Sequence, residues 1–253
     1  MRFLHGSVLA MKPHDWITPD WPVPANVRSL ITTRNGGVSL PPWHSLNLGM
    51  HVGDDPLAVA ENRRRLVEVV GAEPIWLNQV HGNSVVNAED VIGSVDADAI
   101  VTFKGNLPCV IMVADCLPVL FCDEAGTRIG AAHAGWRGLA GGVLENTVKA
   151  MNVVPEKIMA YFGPAIGPDA FEVGAEVREA FLQRDSASDA AFHFIGDEKY
   201  LADIFLLARQ RLLKLGVTKI YGGGRCTVIE RERFFSHRRD KKSGRMAALI
   251  WLE

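Results

Sequence analysis

His81 in "WLNQVHG", Cys116 in "VIMVADC" and His133 in "IGAAHAG" hold equivalent places in their local patterns, each closing an apolar, strand-like run. Gly82 and Gly135 follow the two histidines, and Pro118, which has no N–H to give a sheet, stands just beyond Cys116 and is expected to turn the chain away. Strand ends that border loops are where a rigid scaffold presents functional groups. Two neutral imidazoles and a thiolate make a donor set suited to zinc. Three protein donors leave the fourth tetrahedral position for water or substrate. Copper fits the same donors. Without a metal, Cys116 becomes a nucleophile with His133 as its base, the arrangement of an amide or ester hydrolase. A non-enzymatic alternative is a nucleotide-sensing or partner-binding module that retains a structural metal, although structural zinc sites usually carry a fourth protein ligand. No H-E-x-x-H or C-x-x-C pair joins these residues, so their spacing alone is no metal signature.

Arg137, in "HAGWRG", stands where a strand hands over to a helix. Free N–H groups at a helix start favour anions, and a guanidinium beside them strengthens that preference. Trp136 reads as packing. Asp115, next to Cys116, is a candidate proton carrier or hydrogen-bond partner for a ligand histidine, with a plain structural aspartate as the alternative. Arg34 and Asn47, in the long glycine-rich loop that follows the first strand, and Gln79 are the side chains expected to meet substrate. The loop residues also suit simple turn building.

These residues need a scaffold. "NVRSLITTR" (26–34) reads as a strand. A helix is expected from Pro56, with Asp54 or Asp55 as N-cap, to a stop at Gly71. Short strands follow in "PIWLNQVH", "SVVN", "ADAIVT", "PCVIMVAD", "PVLFCDE" and "TRIGAAHA", with "DEAG" as a hairpin turn. Helices are expected at about 139–151, 174–184 and 199–215, and strands in "KIMAYFG", "VTKIYGG", "RFFSHRR" and "GRMAALIWL". Strands, then helices, then strands argue for an α+β layered domain with a mixed sheet.

The 253 residues, 48% hydrophobic and 22% charged with net charge -2, are expected to form one domain, 1–253. That balance gives no support to a nucleic-acid or membrane-surface partner. The N-terminus, "MRFLHGSVLAMKPHDW", makes a poor signal peptide, and the four cysteines form no framework, so a cytoplasmic protein with reduced thiols is expected. If Cys109 and Cys116 share one strand, about 23 Å separates them and excludes a bond.

Taken together, "TTRNGGVS", "NLGMHVGDD", "WLNQVHG", "DADAIVT", "VADCLPVLF", "AAHAGWRG", "GPAIGPDAFEVG" and "FFSHRRDKKSGRMA" resemble the YfiH-type proteins. That family was first labelled laccase-domain or polyphenol oxidases and is now regarded as purine nucleoside phosphorylases. The resemblance begins at about residue 22, leaving 1–21 as an N-terminal extension outside it. It places the family's metal ligands on His81, Cys116 and His133 and implies zinc. The substrates it implies are purine nucleosides (adenosine, inosine and 5′-methylthioadenosine) with phosphate, together with some adenosine deamination. It also implies a single-domain layered α/β sandwich similar to toxin-type cysteine hydrolases. A monomer or small homo-oligomer is expected. The older laccase label finds little footing: the eight histidines, at 5, 14, 44, 51, 81, 133, 193 and 237, include no His-x-His pair for a trinuclear copper cluster. A polyphenol oxidase would need copper in the single His₂Cys set.

Overall fold

Alternating apolar residues along the central strands face two different layers, and the architecture follows from that alternation. The computed structural model describes residues 14–253. Most of the segment read as a poor signal peptide, and most of the extension, lie outside the described residues. The strands are β1 (Val27–Ile31), β2 (Val85–Asn87), β3 (Ala99–Thr102), β4 (Cys109–Val113), β5 (Leu117–Asp123), β6 (Ile129–Ala134), β7 (Ile158–Phe162), β8 (Glu172–Gly174), β9 (Phe192–Gly196), β10 (Lys199–Ala202), β11 (Lys219–Gly222) and β12 (Met246–Leu252). The helices are α1 (Pro56–Val70), α2 (Trp136–Gly141), α3 (Val143–Met151), α4 (Ala175–Leu182), α5 (Ile204–Leu215) and α6 (His237–Asp240).

A six-stranded sheet runs in the order β11-β7-β5-β6-β3-β2. It is mixed: β11–β7 and β2–β3 pair parallel, and the inner pairs antiparallel. Ala99, Val101, Val119 and Phe121 face α2 to α5. Ile100, Leu120 and Cys122 face the second sheet, β1-β12-β4, meeting Ile111, Val113, Ala248 and Ile250. The outer face of that second sheet carries Val110, Ala247 and Leu249 and is covered by Leu66 and Val70 of α1. The result is α1, small sheet, large sheet, helices: a layered α+β fold. A third sheet, β8-β10-β9, packs beside the helical layer.

Local chemistry explains the elements that were legible. Asp55 caps α1, accepting from Leu57 N at 2.9 Å, Pro56 opens the helix, and Gly71 closes it in the left-handed conformation. "DEAG" does turn β5 into β6, with Asp123 accepting from Thr127 and Arg128.

Several expectations fail for tertiary reasons. "PIWLNQVH" forms only isolated bridges at Ile75 and Asn78, so His81 sits on a loop and not at the end of a strand. Cys116 also lies off the strands, in the bend between β4 and β5, so Cys109 and Cys116 do not share one. Pro118 does not turn the chain away. It is the second residue of β5, opposite His133, where its carbonyl accepts from Gly163 N. The helix expected at 139–151 is two helices, parted at Gly142 with φ 98°. The helix expected from 199 starts at Ile204, because 199–202 pair as β10 and Asp203 caps α5. "RFFSHRR" is no strand: Phe234 and Phe235 are core residues and Ser236 caps α6.

Candidate metal centre

Asp98 builds the site. It precedes β3, is fully buried, and aims its carboxylate at the loop that carries His81. Asp98 Oδ1 accepts from His81 N at 2.9 Å, and Oδ2 accepts from Val80 N at 3.2 Å and Gly82 N at 2.6 Å. These bonds support His81 at φ 61°, a left-handed conformation unusual for a residue with a side chain. Asp98 Oδ1 also meets His133 Nδ1 at 2.8 Å, and Asp98 O accepts from His133 N. One aspartate thus orients both histidines. With Nδ1–H donating to Asp98, His133 presents Nε2, a standard support for a metal-bound imidazole.

The Asp98 carboxyl is held below the usual range. Burial opposes this, but the hydrogen bond from His133 and the N–H groups of Gly82 and His81 outweigh it. Burial would also raise Cys116. The neighbouring His133 and His81 overcome it and favour the thiolate, while the Cys116 and Asp98 charges favour a protonated His133. Cys109 and Cys122 have no such neighbours, and burial pushes both thiols up.

The donor atoms of His81, Cys116 and His133 all lie within 4.8 Å of one another. Cys116 Sγ is 3.9 Å from His81 Nε2. Tetrahedral zinc, with Zn–S near 2.3 Å and Zn–N near 2.0–2.1 Å, would set that separation at about 3.6 Å. The donor set and its spacing fit such an ion. Among the described residues it is the one such cluster.

The cluster lies on a cavity of about 590 Å³. Met112, Ile166, Phe171 and Ile204 give it apolar walls, and Arg137, Arg238, Lys241 and Arg245 make it cationic. His51 lines it too, its imidazole held below the usual range by burial and then by the Arg245 charge.

The family described as multi-copper polyphenol oxidoreductase laccase matches residues 28–253. The chain belongs to that family, the YfiH-type proteins. It is 56% identical over 239 residues to purine nucleoside phosphorylase YfiH of Escherichia coli K12, covering 93% of this chain and 98% of the relative. A purine nucleoside phosphorylase of Pseudomonas aeruginosa is 54% identical, over 94% of this chain and 98% of its own. A crystal structure from Neisseria meningitidis superposes with a TM-score of 0.93 at 57% identity, over 94% of this chain and 99% of that one. YlmD from Geobacillus stearothermophilus gives 0.87 at 32%, over 96% and 98%.

Within this YfiH-type site the other sequence candidates have distinct placements. Arg137 lines the cavity, its guanidinium stacked 4.3 Å from the Trp136 ring. Its helix, α2, is only six residues long. Asp115 lines the cavity, but Thr227 Oγ1 donates to Oδ1 at 2.6 Å and Arg238 N to Oδ2 at 2.7 Å. It ties down α6, and the carboxylate that meets His133 is Asp98. Gln79 borders the cavity, yet its amide is spent on Met112, donating to O at 2.8 Å and accepting from N at 2.7 Å. Arg34 is not among the lining residues. It donates to His44 O and Arg231 O and stacks on Phe235. Asn47 is buried within the loop, bonded to Gly49, Asp54 and Arg245 N. Sequence reasoning missed Asp98, His51 and Arg245.

Gly135 gives a direct test of the YfiH-type cluster. Its backbone, φ -62° and ψ 155°, suits any residue, but a Cβ there would sit 2.9 Å from Cys116 Sγ and 3.2 Å from His81 Cδ2. Gly135→Ala is expected to weaken zinc binding at least about tenfold, as misplaced ligands do, with little change in thermal unfolding of the metal-free protein. Zinc titration against a competing chelator measures it, and unchanged affinity would refute the ligand geometry.

Proposed function

We propose that the chain is a metal-dependent purine nucleoside phosphorylase. His81, Cys116 and His133 hold zinc, and adenosine, inosine and 5′-methylthioadenosine are split with phosphate into free purine and ribose 1-phosphate or its methylthio analogue. The observation that carries this reading is a three-donor cluster opening onto a cavity whose rim is cationic and whose walls are apolar. Relatives named purine nucleoside phosphorylase, at more than half identity and near-complete coverage, support it.

Bound there, zinc would supply a Lewis acid and a water of lowered pKa, the second of which suits a minor deamination of adenosine at C6. Copper fits the same donors. The chain's own residues do the rest. A cavity of this size suits a nucleoside. Phe171, Ile166 and Ile204 offer the uncharged base an apolar wall, and Arg137 with the other cations holds phosphate for attack at C1′ of the ribose. Asp98 keeps both histidines in register, and Asp115 fixes α6 at the rim. A reducing cytoplasm keeps Cys116 available as a thiolate.

The test is chromatography of adenosine incubated with zinc-loaded protein, with and without phosphate. Adenine and ribose 1-phosphate formed only with phosphate would support the reading. Adenosine left intact in both reactions would remove it for that substrate.

One observation favours a second reading. His133 lies between Cys116 and Asp98, so the same atoms make a Cys-His-Asp relay for a metal-free amide or ester hydrolase. Chelation separates the two, since a nucleophilic Cys116 needs no zinc.

A further inference from the structure

Arg245 faces the cluster from the segment leading into β12. Its Nη1 donates to Ser243 O at 2.9 Å and Gly244 O at 3.1 Å, which fixes the guanidinium plane. Nε and Nη2, the two-pronged edge of the fork, have no hydrogen-bond partner among the described residues, and the side chain lines the cavity. The negative charges of Cys116 and Asp115 act on it from across the cavity, but among the described residues no carboxylate forms an ion pair with it. The other rim cations differ. Arg238 spends Nη1 on Glu172 O, Arg137 lies on Trp136, and Lys241 is exposed.

The surrounding loop is built around this residue. Asn47 Oδ1 accepts from Arg245 N at 2.9 Å. A Cβ on Gly49 would stand 2.9 Å from Arg245 Cγ, although its φ -91° and ψ 116° suit any residue. Glycine there makes room for the arginine stem. A fixed guanidinium with its paired N–H edge free and no carboxylate partner matches the oxygens of a phosphate, which it can grip bidentately.

We infer that Arg245 is the phosphate anchor of the cavity, its Nε and Nη2 binding two oxygens of inorganic phosphate beside the His81–Cys116–His133 cluster. The inference rests on the phosphorolysis reading and assigns its anionic substrate to one side chain. Asn47 and Gly49 are positioning residues that act through Arg245.

The experiment measures KM for phosphate and for inosine separately, with calorimetric titration of inorganic phosphate, for wild type, Arg245→Lys, Arg245→Gln and Gly49→Ala. Arg245→Lys keeps the charge but loses the fork. Its KM for phosphate is expected to rise about 10- to 100-fold, the equivalent of one lost charge-assisted bidentate contact, with KM for inosine changed little. Gly49→Ala alters no charge and is expected to shift KM for phosphate in the same direction by displacing the stem. It keeps the test alive if the arginine variants fail to fold. Phosphate-dependent turnover with an unchanged KM for phosphate in folded Arg245→Lys and Arg245→Gln would overturn the assignment and leave phosphorolysis standing. Wild-type protein that neither binds nor consumes phosphate would overturn both.

Discussion

Asp98→Ala is expected to lower the thermal unfolding midpoint by about 10 °C and to abolish tight zinc binding at once. The carboxylate is buried and accepts from Val80 N, His81 N, Gly82 N and His133 Nδ1. Alanine strands these donors. Each buried unsatisfied group costs about 1–3 kcal/mol, but the loop at 80–82 is partly open to water and recovers some of that. A net loss of roughly 3–5 kcal/mol follows, and in a chain of this size about 2–4 °C accompanies each kcal/mol. Asp98→Asn is the sharper variant. It keeps the volume and one acceptor but presents an amide N–H where a carboxylate oxygen was. About half the stability loss is expected, with zinc affinity down about 10- to 100-fold because the imidazole loses the partner that fixes its tautomer. Scanning calorimetry and metal titration on the same samples read both effects. Zinc affinity within twofold of wild type in Asp98→Asn would show that Asp98 supports only the fold.

Asp98 also shows where sequence reading stops. His81, Cys116 and His133 were legible as apolar runs ending at residues with donor chemistry, even though two of the three runs do not end as strands. In "DADAIVT" two aspartates look alike. Asp96 bonds Asn78 on the exposed side, whereas Asp98, of the same parity but next to β3, is fully buried and turns toward the histidines. The available signal was an acid immediately ahead of a fully buried strand. Only the pairing of β3 with β6 says which histidine it meets. Arg245 and His51 left no local trace, because the cavity gathers side chains from segments far apart in sequence.

The fold divides in the same way. Asp55, Pro56 and Gly71 mark α1 because capping is local chemistry. Strand order is non-local, and the three-stranded sheet of β8, β9 and β10 went unseen because its strands are short and largely exposed. "RFFSHRR" misleads through its composition. Two adjacent buried phenylalanines resemble a strand, but both are core residues from a segment without sheet partners, and Ser236 starts a helix immediately after them.

Cys116→Ala carries the largest expected effect on activity, and its pattern separates the two chemistries the cluster permits. Binding energies of about 10–16 kcal/mol for four-ligand zinc sites amount to roughly 3 kcal/mol or more per ligand. Removing the thiolate should therefore weaken zinc about 10²- to 10³-fold, and phosphorolysis at limiting zinc should fall at least as far. In wild type, chelation is expected to abolish phosphorolysis and added zinc to restore it, while the same zinc does not rescue Cys116→Ala. Alkylation supplies a readout independent of turnover. The metal-free Cys116 thiolate, favoured by His133 and His81, should react quickly with iodoacetamide at neutral pH, whereas buried Cys109 and Cys122 stay inert. Zinc should protect Cys116, because the cation withdraws charge from a ligated thiolate and lowers its nucleophilicity. Peptide mass mapping distinguishes it from the partly exposed Cys226. Alkylation indifferent to zinc, with amide or ester hydrolysis surviving chelation and lost in Cys116→Ala, would instead assign the cluster to the Cys-His-Asp relay. The Asp98 carboxylate would then be orienting a general base instead of a ligand.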